Sequence, residues 1–158
     1  MTGRAVVALG NPYRRDDGVG PAVLEAVAQR DPAAVDLLDL GDATFELIHV
    51  LTDHATVVIV DAVDFGGDPG DVAVFTPDSA EDVTGGQRGA HDTNPFELLA
   101  VADRLEATPA TVRIVGIQPG TVEFGDELSP PVLDALPSVV DDVLAVLEDL
   151  QVSSEGGR

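Results

Sequence analysis

Two adjacent aspartates, Asp16 and Asp17, lie in the stretch GNPYRRDDGVGPAVLEAV, between a strand-like run and a helix-like run. An aspartate at this point caps a helix, because its carboxylate accepts hydrogen bonds from free N–H groups of the first turn and complements the helix dipole. Capping accounts for one aspartate better than for two. The second one is therefore a candidate functional residue.

Two further residues with side chains that could bind a metal lie at the ends of predicted elements. Asp61 ends the apolar run from Thr56 to Val60, and His91 lies in a Gly-rich loop just before a helix. Taken alone, Asp61 is equally well explained as a strand terminator, and a loop histidine is more often solvated or capping. Taken together, two carboxylates and an imidazole form a set that binds a divalent transition metal.

Other acidic and imidazole side chains are weaker candidates for that set. Asp64 is an alternative to Asp61, although Asp61 directly follows the predicted strand and so has the more fixed position. His49 and His54 flank the second predicted helix and the start of the central strand. We expect both to be structural and to lie at the opposite end of the sheet.

Apolar runs alternate with helical patterns along the chain, which predicts βαβ units and a mostly parallel sheet covered on both faces. In such a sheet, ligands bind at the carboxyl ends of the strands, where Asp16, Asp17 and Asp61 fall. The predicted strands are 5–9, 35–40, 55–60, 70–75 (near an edge) and 111–117. The predicted helices are 18–29, 44–51, one opening at Asn94, and 130–150 with a break near Pro137.

The length of 158 residues suits one domain, expected to span 1–150 and to leave 151–158 as a disordered tail. There is no apolar run near 18 residues and no basic, hydrophobic leader, so we expect a soluble, cytoplasmic protein. The formal charge of −21 argues against nucleic acid and anionic membranes as partners.

The absence of cysteine and lysine excludes thiolate, Cys-zinc, Schiff-base and P-loop lysine chemistry. The glycines Gly10, Gly18 and Gly20 lack the spacing of the dinucleotide-binding fingerprint. A signalling receiver domain has a similar order of acidic residues, but such domains carry a lysine after a late strand. Catalysis therefore falls to carboxylates, three histidines and hydroxyls.

Four segments together resemble the [NiFe]-hydrogenase maturation endopeptidases (peptidase family M52), and they span nearly the whole chain in the family's order. They are LGNPYRRDDGVGPAVLEAV, VVIVDAVDFGGDPGDV, HDTNPFELLAVADRL and VGIQPGTVEFGDELSPPV. The resemblance implies a three-layer α/β/α sandwich. It also implies that Asp17, Asp61 and His91 are the metal ligands and catalytic site, with Asp16 as a capping or supporting partner. The chain has Gln118 where many members of the family have Glu.

The activity implied by the resemblance is removal of a C-terminal extension from a [NiFe]-hydrogenase large-subunit precursor after nickel insertion. Nickel, carried by the precursor, would then be the recognition element and a Lewis acid. The partner is the precursor, with no nucleic acid and no membrane. The alternative is a non-catalytic, metal-dependent binding domain of the same fold.

Overall fold

The computed structural model describes residues 3–41, 46–79, 82–83 and 111–156, the last six by their backbone alone. Five strands are present in these ranges: β1 Arg4–Leu9, β2 Val35–Gly41, β3 Thr56–Ala62, β4 Val72–Phe75 and β5 Thr111–Ile117. The helices are α1 Val19–Gln29, α2 Glu46–Asp53 and α3 Pro130–Gly156. Short 3₁₀ turns cover Arg15–Gly18 and Pro77–Ser79.

The strands form one sheet in the order β2-β1-β3-β5-β4. The pairs β1/β2, β1/β3 and β3/β5 are parallel, and only β4 runs antiparallel, along β5 at the edge. This is the mostly parallel α/β sheet that the alternating pattern predicts, and the edge position of β4 is also confirmed.

Alternate side chains of the strands supply two separate apolar cores. Val6, Val58 and Val115 face α1 and α3, whereas Val7 and Ile59 pack with Leu47 and Leu51 of α2. Each face of the sheet is covered by its own core, so side chains on both faces of a strand are apolar. The strand sequences are therefore continuous apolar runs. The result is the predicted α/β/α sandwich.

Several element boundaries differ from those predicted. β3 continues to Ala62, so Asp61 is its penultimate residue and does not follow it. α3 runs without a break through Pro137 and on to Gly156. Val132 before the proline and Val139, Val140 and Val143 after it are all buried, and this packing holds both halves of the helix in line. The helix expected to open at Asn94 lies outside the described residues.

None of the helices in these described ranges is long and apolar enough to cross a membrane.

Candidate active site

The carboxyl ends of β1 and β3 meet the first turn of α1 at Gly20. At Gly20, a Cβ would overlap the carbonyl oxygen of Leu9 and come within 2.8 Å of that of Val60. Only a residue without a side chain lets the helix come this close to both strand ends. The turn that carries Asp16 and Asp17 is thereby pressed against the edge where ligands bind in parallel sheets.

Asp17 and Asp61 border the same point of this edge, Gly10, the residue after β1. Gly10 has φ +122°, and a Cβ there would overlap the backbone of Asp17 and lie 3.7 Å from Oδ1 of Asp61. Both aspartates are buried. The structure therefore brings these two predicted site residues together.

Backbone amides hold each of these carboxylates. The N–H of Asn11 donates to Oδ2 of Asp17 at 2.9 Å, and the N–H of Ala62 donates to Oδ1 of Asp61 at 2.8 Å. Hydrogen bonds of this kind fix the orientation of a carboxylate. The edge thus presents two oriented carboxylates as oxygen donors for a cation.

Asp16 was expected to be a capping or supporting residue, and the capping role is wrong, because Asp16 does not cap α1. The residue at the N-cap is Gly18, and no side chain makes a cap hydrogen bond there. Asp16 instead accepts hydrogen bonds from the N–H groups of Gly120, Thr121 and Ser129 and from the Ser129 hydroxyl, at 2.7, 3.0, 2.7 and 2.6 Å. It anchors the 118–129 loop, which follows β5, to the turn before α1.

These donors also change the acidity of Asp16. Burial by itself raises the pKa of this carboxyl, but the hydrogen bonds from the Ser129 side chain and from three backbone amides outweigh it. The pKa of Asp16 is consequently lowered. Asp16 is a permanently charged anchor at neutral pH.

Gln118 organises the loop that follows β3, a role that the sequence did not reveal. Its Oε1 accepts hydrogen bonds from the N–H groups of Phe65 at 2.9 Å and Gly67 at 3.1 Å. Its Nε2 donates to Oδ1 of Asp64 at 3.1 Å. Asp64 is exposed and is engaged in shaping this loop. The sequence feature that could have indicated this role is Gln118 itself, at a position where many members of the resembled family have glutamate. An amide can donate to Asp64 while it accepts from the backbone, and a carboxylate cannot.

His54 lies just before β3, at the amino edge of the sheet and therefore at the opposite end from Asp61. Its Nδ1 is 2.8 Å from the carbonyl oxygen of Val50, and its Nε2 is 2.8 Å from Oδ2 of Asp36. Burial lowers the pKa of His54, but the hydrogen bonds to Asp36 and Val50 and the negative charges of Asp36 and Asp53 raise it more. His49 is exposed on α2.

The third predicted ligand, His91, lies outside the described residues. Within the ranges that the structure describes, no three histidine or acidic side chains form a metal-binding group. Of the three predicted ligands the structure describes Asp17 and Asp61, and the metal-binding role of all three stays a prediction.

Comparisons with known proteins agree on one family. The model of the family described as hydrogenase maturation protease matches residues 21–146. The hydrogenase expression/formation protein HupD of Bradyrhizobium diazoefficiens is 30% identical over 152 residues, which is 94% of this chain and 79% of that protein. The hydrogenase 3 maturation protease of Escherichia coli is 28% identical over 136 residues, 85% and 84% of the two chains.

Solved structures show the same fold. The hydrogenase 2 maturation peptidase from a Thaumarchaeota archaeon is 29% identical, with a TM-score of 0.67 over 91% of this chain and 97% of that one. The maturating endopeptidase HybD of E. coli has a TM-score of 0.81 at 24% identity, over 94% and 93% of the two chains, and supports the fold alone. Because the family model matches residues 21–146, which is most of this chain, the chain belongs to the hydrogenase maturation protease family.

Proposed function

We propose that this chain is an endopeptidase that removes the C-terminal extension of a [NiFe]-hydrogenase large-subunit precursor once nickel has been inserted. Membership in the family supports the protease class. The observation that carries the proposal is that two buried aspartates, Asp17 and Asp61, both border the Gly10–Asn11 segment at the carboxyl edge of the sheet.

In this proposal nickel arrives as part of the substrate. Asp17, Asp61 and His91 supply two carboxylates and one imidazole, a donor set suited to a divalent transition metal that leaves other coordination positions open. The precursor keeps the remaining positions, so the two proteins hold the ion from opposite sides. When bound, the ion supplies recognition and a Lewis acid beside the scissile peptide.

The chain's own residues orient the substrate. The Asn11 and Ala62 amides fix the two carboxylates, and Asp16 fixes the neighbouring 118–129 loop. Holding the scissile peptide in one geometry lowers the barrier to its hydrolysis. Ser129 is a poor candidate nucleophile because its side chain is buried and, among the described residues, the only base in contact with its hydroxyl is Asp16. Asp16 also accepts three backbone hydrogen bonds, and its lowered pKa makes it a weak base. This supports hydrolysis at the carboxylate edge over a serine mechanism that uses Ser129.

The test is to incubate the purified chain with nickel-containing large-subunit precursor and to follow loss of the C-terminal extension by mass spectrometry. We expect Asp17→Asn, Asp61→Asn and His91→Ala to stop cleavage, because each removes a ligand. Asp134→Asn, an exposed carboxylate on α3, is the matched control and should process precursor normally.

Two results would contradict the proposal. Stable binding of precursor by the wild type without cleavage would favour the non-catalytic binding domain. Normal cleavage by both Asp17→Asn and Asp61→Asn would remove the site from this edge of the sheet.

A further inference from the structure

Two aromatic side chains stand in solvent beside the candidate site. Tyr13 is 71% exposed and Phe124 is 88% exposed, although large apolar groups are normally withdrawn from water. They lie on different loops that are bonded to each other. The N–H of Gly125 donates to the carbonyl of Tyr13, and the N–H of Arg15 donates to the carbonyl of Gly125, both at 2.9 Å.

Two arginines complete this surface and are themselves held in place. Nε of Arg14 donates to the carbonyl oxygen of Val122 at 3.2 Å, and its Cζ lies 5.9 Å from the centroid of the Phe124 ring. Nε of Arg15 donates to the carbonyl oxygen of Glu127 at 3.1 Å. Guanidinium over an aromatic face is a stabilising arrangement. We call Tyr13, Arg14, Arg15 and Phe124 the aromatic patch.

The charge of the aromatic patch is unusual for this chain. The sequence has eight arginines and no lysine against 29 acidic residues, yet two of the eight arginines are consecutive here. In the described ranges the arginine that forms an ion pair with a carboxylate is Arg30, with Asp141. Arg14 and Arg15 bind backbone carbonyls instead. The exposed acids Glu123, Asp126 and Glu127 are on the same loop, so the patch is a mixed surface centred on aromatic rings and not a general anion site.

The aromatic patch is continuous with the candidate site. Asp16 joins the two loops, since its N–H donates to the carbonyl of Thr121 at 2.9 Å and its carboxylate binds the amides of Gly120 and Thr121. Asp17 is the next residue. Tyr13, Arg14 and Arg15 therefore belong to the same short segment as Asn11 and Asp17, whose N–H and carboxylate are hydrogen-bonded to each other.

Resting on the proposed function, we propose that the aromatic patch is the docking surface for the hydrogenase precursor. It receives a segment with an apolar side chain next to a carboxylate: the side chain packs on Tyr13 and Phe124, and the carboxylate meets Arg14. Tyrosine and arginine are among the residue types enriched at the positions that contribute most to binding at protein interfaces. A second copy of this chain is a poor occupant, because two molecules of charge −21 repel each other.

Steady-state cleavage of the nickel-containing precursor tests this assignment. We expect Phe124→Ala and Arg14→Gln each to raise KM roughly tenfold, as truncation of an interface anchor does, with kcat close to the wild-type value. The penalty for Arg14→Gln should shrink at high salt, because screening already weakens the charge contact in the wild type. Leu133→Ala, a half-exposed leucine on α3, and Arg30→Gln are the matched controls and should keep the wild-type KM.

The outcomes separate the docking surface from the activity itself. Unchanged KM in both patch variants, with cleavage still lost in Asp17→Asn, would overturn the docking surface and leave the proposed function standing. A fall in kcat and melting temperature at constant KM would make Phe124 a structural residue and also overturn it. Loss of a wild-type dimer in Phe124→Ala, seen by sedimentation, would assign the patch to self-association instead. A wild type that never cleaves precursor would overturn the proposed function, and the docking proposal with it.

Discussion

Asp16 and Asp17 are consecutive and both buried, but their carboxylates belong to different parts of the molecule. Asp17 faces the Gly10 turn at the end of β1, whereas Asp16 points to the 118–129 loop. The 3₁₀ turn at Arg15–Gly18 separates the two directions, since neighbouring side chains in such a turn lie about a third of a revolution apart. One turn thus builds the site and attaches its neighbouring loop.

We expect Asp16→Asn to destabilise the fold and also to impair processing. The amide keeps one acceptor oxygen and turns an NH₂ group toward backbone N–H donors, so a charged acceptor of four hydrogen bonds is lost. The free energy of unfolding should fall by about 2–4 kcal/mol, measured by urea denaturation. Asp17→Asn, in contrast, should stop processing with a smaller loss of stability.

The control is the pH dependence of the difference in unfolding free energy between wild type and Asp16→Asn. Because the pKa of Asp16 is lowered in the folded state, its stabilising contribution is complete above the ordinary value of 3.8 and is lost as the pH falls through the lower, folded-state pKa. The gap between wild type and Asp16→Asn should therefore narrow in acid. A gap that is constant from neutral pH to acid would contradict the role of the charge.

His54 should stabilise the fold only in its protonated form. Both ring nitrogens face acceptors, the Val50 carbonyl and the Asp36 carboxylate, so both hydrogen bonds need the imidazolium. Its pKa is raised in the folded state. The contribution is then complete below the unfolded-state pKa of about 6.5 and is lost as the pH rises through the folded-state pKa.

Thermal melts of wild type and His54→Gln at several pH values measure this effect. Since the Asp36 side chain is 69% exposed, we expect it to amount to about 1 kcal/mol or less. His49→Gln, on the exposed face of α2, should show no such pH dependence. A His54→Gln penalty that grows as the pH rises would show that the neutral ring makes these contacts.

Among the elements, α1 sets the position of the site through its first turn. Gly20 lets this turn contact the carbonyl oxygens of Leu9 and Val60. We expect Gly20→Ala to cost about 2–3 kcal/mol in the free energy of unfolding, because the added methyl group forces the helix away from rigid backbone. Ala28→Gly, on the exposed side of the same helix, should cost about 1 kcal/mol through helix propensity alone. Equal losses of unfolding free energy in Gly20→Ala and Ala28→Gly would show that α1 can shift to accommodate the added methyl group.

The elements were predictable from the sequence to the extent that local pattern determines them. The run 111–117 is β5 itself, and β1, β2 and β3 lie within two residues of their predicted bounds because buried parallel strands are continuous apolar runs. The antiparallel direction of β4 was not predicted, since it depends on pairing with β5 across a long stretch of chain. The partners of Asp16 were equally hidden, being 104 to 113 residues away. Asp61 was a candidate because it ends an apolar run, whereas Asp17 was separated from Asp16 by the family resemblance alone, and the ligand role of both stays a prediction.

For the molecule as a whole, two apolar cores on opposite faces of the sheet supply the stability. We therefore expect the purified chain to keep its far-UV circular dichroism after treatment with a chelator, since a fold with its own core does not need a metal to form. Added nickel should raise the melting temperature modestly and in a concentration-dependent way, because a ligand of the folded state stabilises by mass action. Unfolding by the chelator would show that the site is structural.

The distance along the chain between Asp16 and its donors has a consequence for biosynthesis. Asp16 is synthesised before its donors, because the amides of Gly120, Thr121 and Ser129 are made more than a hundred residues later. A domain generally folds as a unit, and this one needs both segments for that unit to form. Until Ser129 has been released, the Asp16 carboxylate has no loop to anchor and the aromatic patch lacks Phe124. A chain truncated before this loop therefore carries both site aspartates but no completed surface for a client protein, so competence arrives only after the 118–129 loop has been made.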